Sequence, residues 1–214
     1  MRKHGTSLRR KKATRNPKRK FVLFSEGANT ERVYFEALER HFSNALIEVE
    51  FIGPAGAPVS IAQKVKERMV ALKRERKANS FAENDTVWAV FDEDEHRHVK
   101  QSIAQCEAAG AAVAYSNPCF EVWLILHHQD FDKADDRHQV QKRMKECDPK
   151  YDPDGPKIPN CQQLMENIEA AEERAITLEI RRVEEGSPLG RPCSTVYKLT
   201  QAVRIAAESD MTSE

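Results

Sequence analysis

The sequence has no long apolar run, and its first residues lack the apolar segment of a signal peptide. No stretch approaches the roughly 20 consecutive apolar residues that a membrane helix needs, so we expect a cytoplasmic protein without membrane contact. Aromatic residues are scarce, at 7% against 32% charged residues, which is typical of a helix-rich soluble protein. With 40% apolar residues among 214, the chain can still bury a sizeable core.

Cysteine pairs are also missing. The five cysteines are an odd number and include no C-x-x-C pair, which argues against a disulfide framework and against a zinc ribbon. An alternative is a scattered metal site that combines Cys147, Cys161 and His138, but their spacing differs from that of known zinc sites. Most of the cysteines are therefore expected to be reduced and to act as small hydrophobic residues.

The net charge is zero, with 34 basic and 34 acidic residues, but the charge is unevenly distributed. Residues 1–20 hold ten bases and no acid, so an acidic body follows. Residues 1–19 have no apolar periodicity and predict a disordered basic arm that binds the phosphate backbone of nucleic acid, a solvated tail being the alternative. The residues assigned to nucleic-acid binding are Arg9, Arg10, Lys11 and Lys12 in the arm and Lys73 and Arg74 on a basic helix.

The hydrophobic pattern predicts an α/β fold in which strands and helices alternate. The predicted elements are a strand over 21–24, a helix from Asn29 and Thr30 through Phe42, an edge strand over 47–52, a helix capped by Ser60, a buried strand over 86–91, a helix closed by Gly110, a strand over 111–115 and a buried helix over 120–126. The alternation favours an open parallel sheet flanked by helices.

The composition changes beyond His128. A polar helical segment over 130–147 precedes a proline-containing loop over 148–160, a helix carrying Leu164 and Leu178, a break over 186–192 and a final helix through about Ala207. We therefore divide the chain into a basic arm (1–19), a catalytic domain (20–128), a helical appendage that packs on this domain (129–207) and a tail (208–214).

Carboxylates follow several of the predicted strands. Glu26 follows the first strand, Asp92 and Asp94 follow the third, and Glu121 comes shortly after the fourth. Parallel sheets bind ligands outside the carboxyl ends of their strands, so one edge would collect all four carboxylates. Asp92 and Asp94 are two residues apart and share a side on an extended backbone, whereas Glu93 points away. This pattern suits Mg²⁺ or Mn²⁺, a solvated acidic turn being the alternative.

Several segments resemble known families. One resemblance is to the Toprim fold. It rests on a strand followed by Glu26-Gly27, then a β-α unit, then a strand followed by Asp92-x-Asp94. A second resemblance is to the RloB family. It is found in residues 25–31 and 91–94 and above all in the run S-N-P-C-F-E-V-W-L-I-L-H at 116–127. The basic start and P-C-S-T-V-Y-K-L at 192–199 are similar to it as well, so the resemblance covers nearly the full chain.

The resemblance implies a Toprim-like sheet and a Mg²⁺- or Mn²⁺-dependent nuclease that acts as effector of a bacterial anti-phage defence system from restriction loci, beside an ATPase of the AAA or ABC type. It assigns catalysis to Glu26, Asp92 and Asp94 and, by analogy with Toprim nucleases of the OLD type, metal binding to Glu26, Glu31, Asp92, Asp94 and Glu121. The sequence departs from many Toprim proteins in Glu95-His96 after Asp94 and offers no topoisomerase tyrosine, so strand passage is not expected.

Four further residues are assigned supporting roles, namely Ser116, Asn117, His127 and Lys198. Each has a structural alternative, such as a packed histidine or a helix-surface lysine. At the level of function, the alternative to the nuclease is a non-catalytic nucleic-acid-binding or sensor subunit of an ATPase complex. The sequence leaves open whether the substrate is DNA, tRNA or other RNA, whether one or two metals bind, and whether a homo-oligomer forms.

Overall fold

The computed structural model describes residues 19–25, 27, 29–43, 46–51, 58–79, 82–93 and 98–211. Two predicted site residues, Glu26 and Asp94, lie outside the described residues, as do the predicted arm residues 9–12. No helix in the described ranges combines the length and the apolar character that crossing a bilayer requires.

The first half of the chain alternates strands and helices, as predicted. Its elements are β1 Lys20–Ser25, α1 Thr30–His41, β2 Leu46–Phe51, α2 Pro58–Ala78, β3 Thr86–Asp92, α3 Val99–Ala109, β4 Ala112–Asn117 and α4 Glu121–Leu126. The second half adds α5 Arg137–Cys147, α6 Cys161–Glu166, α7 Ile168–Glu184, β5 Cys193–Ser194 and α8 Val196–Met211.

The five strands form one sheet in the order β2-β1-β3-β4-β5. The first four are parallel, and the short β5 pairs with β4 in the antiparallel direction. The predicted α/β class and the predicted edge position of β2 are thus confirmed. The chain passes from β1 to β2 on one side and returns to β3 on the other, so the carboxyl ends of β1 and β3 border the crevice where such sheets bind ligands.

Two hydrophobic clusters cover the two faces of the sheet. In β3, Trp88 and Val90 belong to the first cluster, whereas Val87, Ala89 and Phe91 belong to the second. Helices α1 and α4 to α8 supply the first cluster, and α2 and α3 supply the second. A strand buried on both faces explains the uninterrupted apolar run of β3. The C-terminal helices share one core with the sheet.

Two helices begin at positions that differ from the prediction. Helix α2 begins at Pro58, two residues before the predicted cap Ser60, because the fixed φ of proline and its missing N–H suit the first turn of a helix. Helix α5 begins at Arg137 rather than near residue 130, because Asp136 and Gln139 form a capping box there.

The C-terminal helices correct the prediction in two further places. The helix predicted through Leu164 and Leu178 is divided into α6 and α7 at Asn167, whose side-chain amide donates to the carbonyl of Gln163 at 3.1 Å. Helix α8 continues to Met211 instead of ending near Ala207, so part of the predicted tail is helical. An ion pair between Arg204 and Glu208, one turn apart, stabilises this extension.

Candidate active site

Asp92 is the last residue of β3, at the carboxyl edge of the sheet. Its Oδ1 atom is buried and has no hydrogen-bond partner in the described part of the chain. The backbone N–H of Phe120 donates to the same carboxylate. A buried carboxylate oxygen without a partner is costly, so Asp92 is the residue around which a ligand is to be sought.

Glu93 points to the opposite face of the sheet, as predicted from the alternation of an extended backbone. The hydroxyl of Tyr115 donates to its Oε2 atom at 2.5 Å, and Tyr115 belongs to the hydrophobic cluster formed with α2 and α3. Asp92 instead neighbours Phe120 and Glu121 on the other face. The two adjacent carboxylates therefore have separate surroundings.

Glu121 begins α4 and is only 4% exposed. Its Oε1 atom accepts hydrogen bonds from the Tyr151 hydroxyl at 2.5 Å and from the Gln141 amide at 3.2 Å. These contacts confirm the expectation that a buried glutamate at this position needs a partner. Since both donors bind the same oxygen, they fix the orientation of the carboxylate.

Glu31 lies in the first turn of α1, close to Gly27. A Cβ atom added at Gly27 would overlap the Glu31 carboxylate, so the missing side chain at this position leaves room for that group. The start of α1 is held from the C-terminal half of the chain, because the Thr30 hydroxyl donates to the Lys157 carbonyl at 3.0 Å.

Electrostatics place three of the predicted ligands near one another. Burial raises the pKa of Asp92 well above its ordinary value, and the carboxylates of Glu31 and Glu121 raise it further. The positive charge of Arg137 and the Phe120 N–H lower it in part. Carboxylates from α1, β3 and α4 are thus brought together, and a cation would relieve their repulsion.

The donor set suits a hard divalent cation. Carboxylate oxygens are the ligands that Mg²⁺ and Mn²⁺ prefer, and Asp92 Oδ1 has no hydrogen-bond partner among the described residues. Within the described ranges no three His, Cys, Asp or Glu side chains form a group that could hold an ion, which applies to Asp92, Glu31 and Glu121 as well as to Cys147, Cys161 and His138. The described candidates for ligands are Asp92, Glu31 and Glu121; the other predicted ligands, Glu26 and Asp94, lie outside these ranges.

Ser116 and Asn117 bind the C-terminal segment of the chain. The hydroxyl of Ser116 lies 3.2 Å from that of Ser194 in β5. The Asn117 amide donates to the Leu189 carbonyl at 2.9 Å and accepts from Arg191 Nε at 3.2 Å. These contacts fasten the loop over 186–192 and β5 to the end of β4.

His127 and Lys198 also have structural partners. His127 Nδ1 donates to the Trp123 carbonyl at 2.9 Å, and Nε2 lies 3.3 Å from the Tyr34 hydroxyl. Burial lowers the pKa of His127 to about 3, so the ring is neutral at pH 7. The Lys198 ammonium donates to Glu179 at 2.7 Å. None of these contacts involves the carboxylates of Asp92, Glu31 or Glu121.

The predicted nucleic-acid-binding residues of α2 lie far from the carboxylates. Lys73 and Arg74 are exposed near the end of α2, which leads from the carboxyl edge of the sheet to its amino edge. At that amino edge Arg19, the last residue of the predicted arm, donates to the Asn84 carbonyl at 2.6 Å. A 21-residue helix is about 30 Å long. Lys73, Arg74 and Arg19 therefore lie at the end of the sheet opposite to Asp92.

Sequence reasoning missed three residues of this region, Gln141, Tyr151 and Arg137. Gln141 gave a weak signal, because it is a polar residue between Val140 and Met144 on the buried face of α5. Tyr151 lies in the proline-containing loop, where no periodicity reveals which residues are buried.

Comparison with models of known protein families matches residues 21–203 to the family described as RloB-like protein. No curated protein and no solved structure matches the chain.

Proposed function

Because the chain belongs to the RloB-like family, we propose that it is a nuclease that hydrolyses phosphodiester bonds of DNA or RNA with the help of Mg²⁺ or Mn²⁺. The single observation that carries this proposal is the surroundings of Asp92. A buried oxygen at the end of a central strand has no hydrogen-bond partner among the described residues and has two further carboxylates close by. Such an arrangement reduces stability unless a cation joins it, which favours a role in binding over a structural role.

In the proposed reaction an oxygen of water forms a bond to phosphorus, and the bond from phosphorus to one ester oxygen breaks. The proton released by the water passes to a carboxylate, and the departing oxygen takes up a proton. The family resemblance assigns this acid-base role to Glu26. A divalent cation, when bound, supplies positive charge that stabilises the phosphate oxygens and lowers the pKa of the attacking water.

The wider setting is also part of the proposal. We infer that the protein is cytoplasmic and acts as effector of an anti-phage defence system, with an ATPase of the AAA or ABC type as partner. The basic arm and the exposed Lys73 and Arg74 would bind nucleic acid through phosphate contacts. Assembly into a homo-oligomer is compatible with this setting.

One observation favours a second candidate, a non-catalytic sensor or binding subunit. Lys73 and Arg74 of α2 and Arg19 lie towards the amino edge of the sheet, at the opposite end from Asp92. A protein that only binds nucleic acid would need no carboxylates near its basic surface. The two candidates differ in whether Asp92 is required for cleavage.

The deciding experiment compares Asp92→Asn with Glu93→Gln, a matched control that changes the adjacent carboxylate on the opposite face. Plasmid DNA, single-stranded RNA and tRNA are incubated with each protein and Mn²⁺ or Mg²⁺. We expect Asp92→Asn to abolish cleavage and Glu93→Gln to retain it. Metal should raise the melting temperature of the wild type and of Glu93→Gln only, because a metal that binds the folded state stabilises it. At a metal concentration of 100 times Kd, this stabilisation is about 2.7 kcal/mol.

The proposal fails if none of the three substrates is cut and if the melting temperature of the wild type stays constant across the metal titration. Binding of nucleic acid without cleavage and without a metal effect would instead support the sensor subunit.

A further inference from the structure

Helix α5 brings a basic residue to the carboxylates. Arg137 is its first residue, and Gln141, one turn later, donates to Glu121 Oε1 at 3.2 Å. Residues four apart lie on the same face of a helix. Arg137 is therefore on the face of α5 that packs towards Glu121, at the end of the helix that carries the positive part of its dipole.

The electrostatics of two neighbours agree with the placement that the helix geometry gives. The charge of Arg137 favours the ionised forms of both Asp92, at the end of β3, and Tyr151, which binds Glu121. The guanidinium is thus in range of groups from two other parts of the fold. The residue is half-buried, so part of it is accessible to solvent.

The start of α5 is fixed by its own cap. The Asp136 carboxylate accepts from the Gln139 N–H at 2.9 Å, and the Gln139 side chain accepts from the Asp136 N–H at 2.8 Å. Arg143, the next arginine of the helix, forms an ion pair with Asp135. Arg137 directly follows the cap residue Asp136, so its backbone is held in place before any ligand binds.

We propose that Arg137 is a catalytic residue that contacts the non-bridging oxygens of the scissile phosphate and stabilises the charge that develops on them during hydrolysis. The inference rests on the proposed nuclease function. A guanidinium suits this task, because its planar set of donors matches two phosphate oxygens at once. Tyr151 and Gln141 are, in this arrangement, positioning residues that act through Glu121.

The test measures cleavage by Arg137→Ala, Arg137→Lys and Lys142→Ala at saturating Mn²⁺. Lys142 is an exposed residue of the same helix, so its removal changes the net charge equally. We expect kcat to fall by about 100-fold to 1,000-fold in Arg137→Ala, as for loss of one donor to a transition state. Arg137→Lys should recover part of this loss, and Lys142→Ala should stay within about twofold of the wild type.

A purely structural role for Arg137, as neutraliser of the carboxylates, gives a different result. Its removal would then strengthen metal binding, so that less Mn²⁺ would be needed, and kcat at saturating Mn²⁺ would remain at the wild-type level. That result overturns the inference. Thermal melting checks that each variant is folded, and Arg137→Lys retains the charge if Arg137→Ala does not fold.

A binding experiment separates failure of this inference from failure of the nuclease function. Affinity for a fluorescent 12-nucleotide single strand is measured without metal by anisotropy. We expect Arg137→Ala to bind several-fold more weakly than Lys142→Ala, because both variants keep the arm and lose one charge. If the wild type does not cleave but Arg137→Ala binds more weakly, the nuclease function and the catalytic role of Arg137 both fail, and Arg137 is a phosphate contact only. If the wild type cleaves and the two variants bind equally, the role of Arg137 fails while the nuclease function stands.

Discussion

The surroundings of Asp92 disfavour the ionised form of its carboxyl group. Burial, then Glu31 and Glu121, raise its pKa above the ordinary value of 3.8. Because the folded-state pKa is raised, the contribution of this group to stability is fully present below pH 3.8 and is lost as the pH rises through the folded pKa. Without metal, ionised Asp92 therefore disfavours folding at neutral pH.

We accordingly predict that Asp92→Asn melts at a higher temperature than the wild type at pH 7 in a chelating buffer. The difference should be at least about 2 °C and should shrink towards pH 4, where the wild-type carboxyl group is neutral. Thermal melts across this pH range check the prediction, with Asp130→Asn as control, because the Asp130 side chain is 94% exposed. A variant that melts below the wild type at pH 7 would contradict it.

Glu121 and Tyr151 allow metal binding to be separated from structural support. Glu121→Gln keeps an oxygen that accepts from Tyr151 and Gln141. We therefore predict little loss of stability, together with a loss of cleavage by tens of fold and a higher requirement for metal. Tyr151→Phe should instead cost about 1 to 3 kcal/mol of folding free energy, because it removes a buried donor from a carboxylate.

Melting curves and metal-activation curves of both variants test this prediction. Tyr197→Phe is a suitable control, since Tyr197 donates to Glu179 at 2.5 Å, in a contact that does not involve Glu121. The ligand role of Glu121 is wrong if Glu121→Gln changes melting alone and keeps the metal requirement of the wild type.

Residues at strand ends could be predicted from the sequence, whereas their partners could not. The rule that parallel strands end at one edge identified Asp92 and Glu121, and both lie there. Tyr151 and Gln141 reach Glu121 only because the C-terminal helices fold back on α4. Such long-range contacts leave no local pattern in the sequence. The same limit applies to Ser116 and Asn117, whose partners lie more than 70 residues away.

Among the elements, α5 connects stability and the candidate site, because its cap fixes the position of Arg137. We predict that Asp136→Ala destabilises the protein by about 1 kcal/mol, whereas Asp136→Asn, which retains a good cap, changes stability by a few tenths. If Arg137 serves catalysis, Asp136→Ala should also lower kcat at saturating metal. Chemical denaturation and cleavage assays measure both effects. Equal stability of the two variants would show that the cap does not hold α5.

Strong periodicity determined which elements were predictable. The stripe Ile61, Val65, Met69 and Leu72 is fully part of the core, and Gly110 closes α3 with a positive φ of 89°, as predicted. By contrast, β5 has two residues and was missed, since two residues carry no alternation. The division between α6 and α7 was also missed, because residues on both sides continue one apolar stripe into the same cluster.

At the scale of the whole molecule, the parallel sheet separates Lys73, Arg74 and Arg19 from Asp92. Deleting residues 1–18, which hold eight bases, keeps the contact between Arg19 and Asn84. We predict that this deletion weakens nucleic-acid binding. If five of these bases contact phosphate, the plot of the logarithm of the binding constant for duplex DNA against the logarithm of the salt concentration should become less steep by about 4 to 5 units. kcat should not change, because the arm is attached at the opposite edge of the sheet.

Titrations of binding at several salt concentrations provide this slope. Replacing Lys73 and Arg74 with alanine in the full-length chain should make the salt dependence less steep by about 2 units if both residues contact phosphate. An unchanged slope after deletion would mean that the arm serves a different partner.

The burial of α4 has a consequence for the timescale of motion near the candidate site. All six of its residues are buried, and they pack between the sheet and the C-terminal helices. Amide protons in such an element exchange with solvent mainly when the protein opens globally. We therefore predict that the α4 amides bonded within the helix exchange more slowly than those of exposed helix ends in hydrogen-exchange mass spectrometry. Glu121 would then move only when the core opens, which is a slow process. Its carboxylate would therefore be in place before the substrate binds.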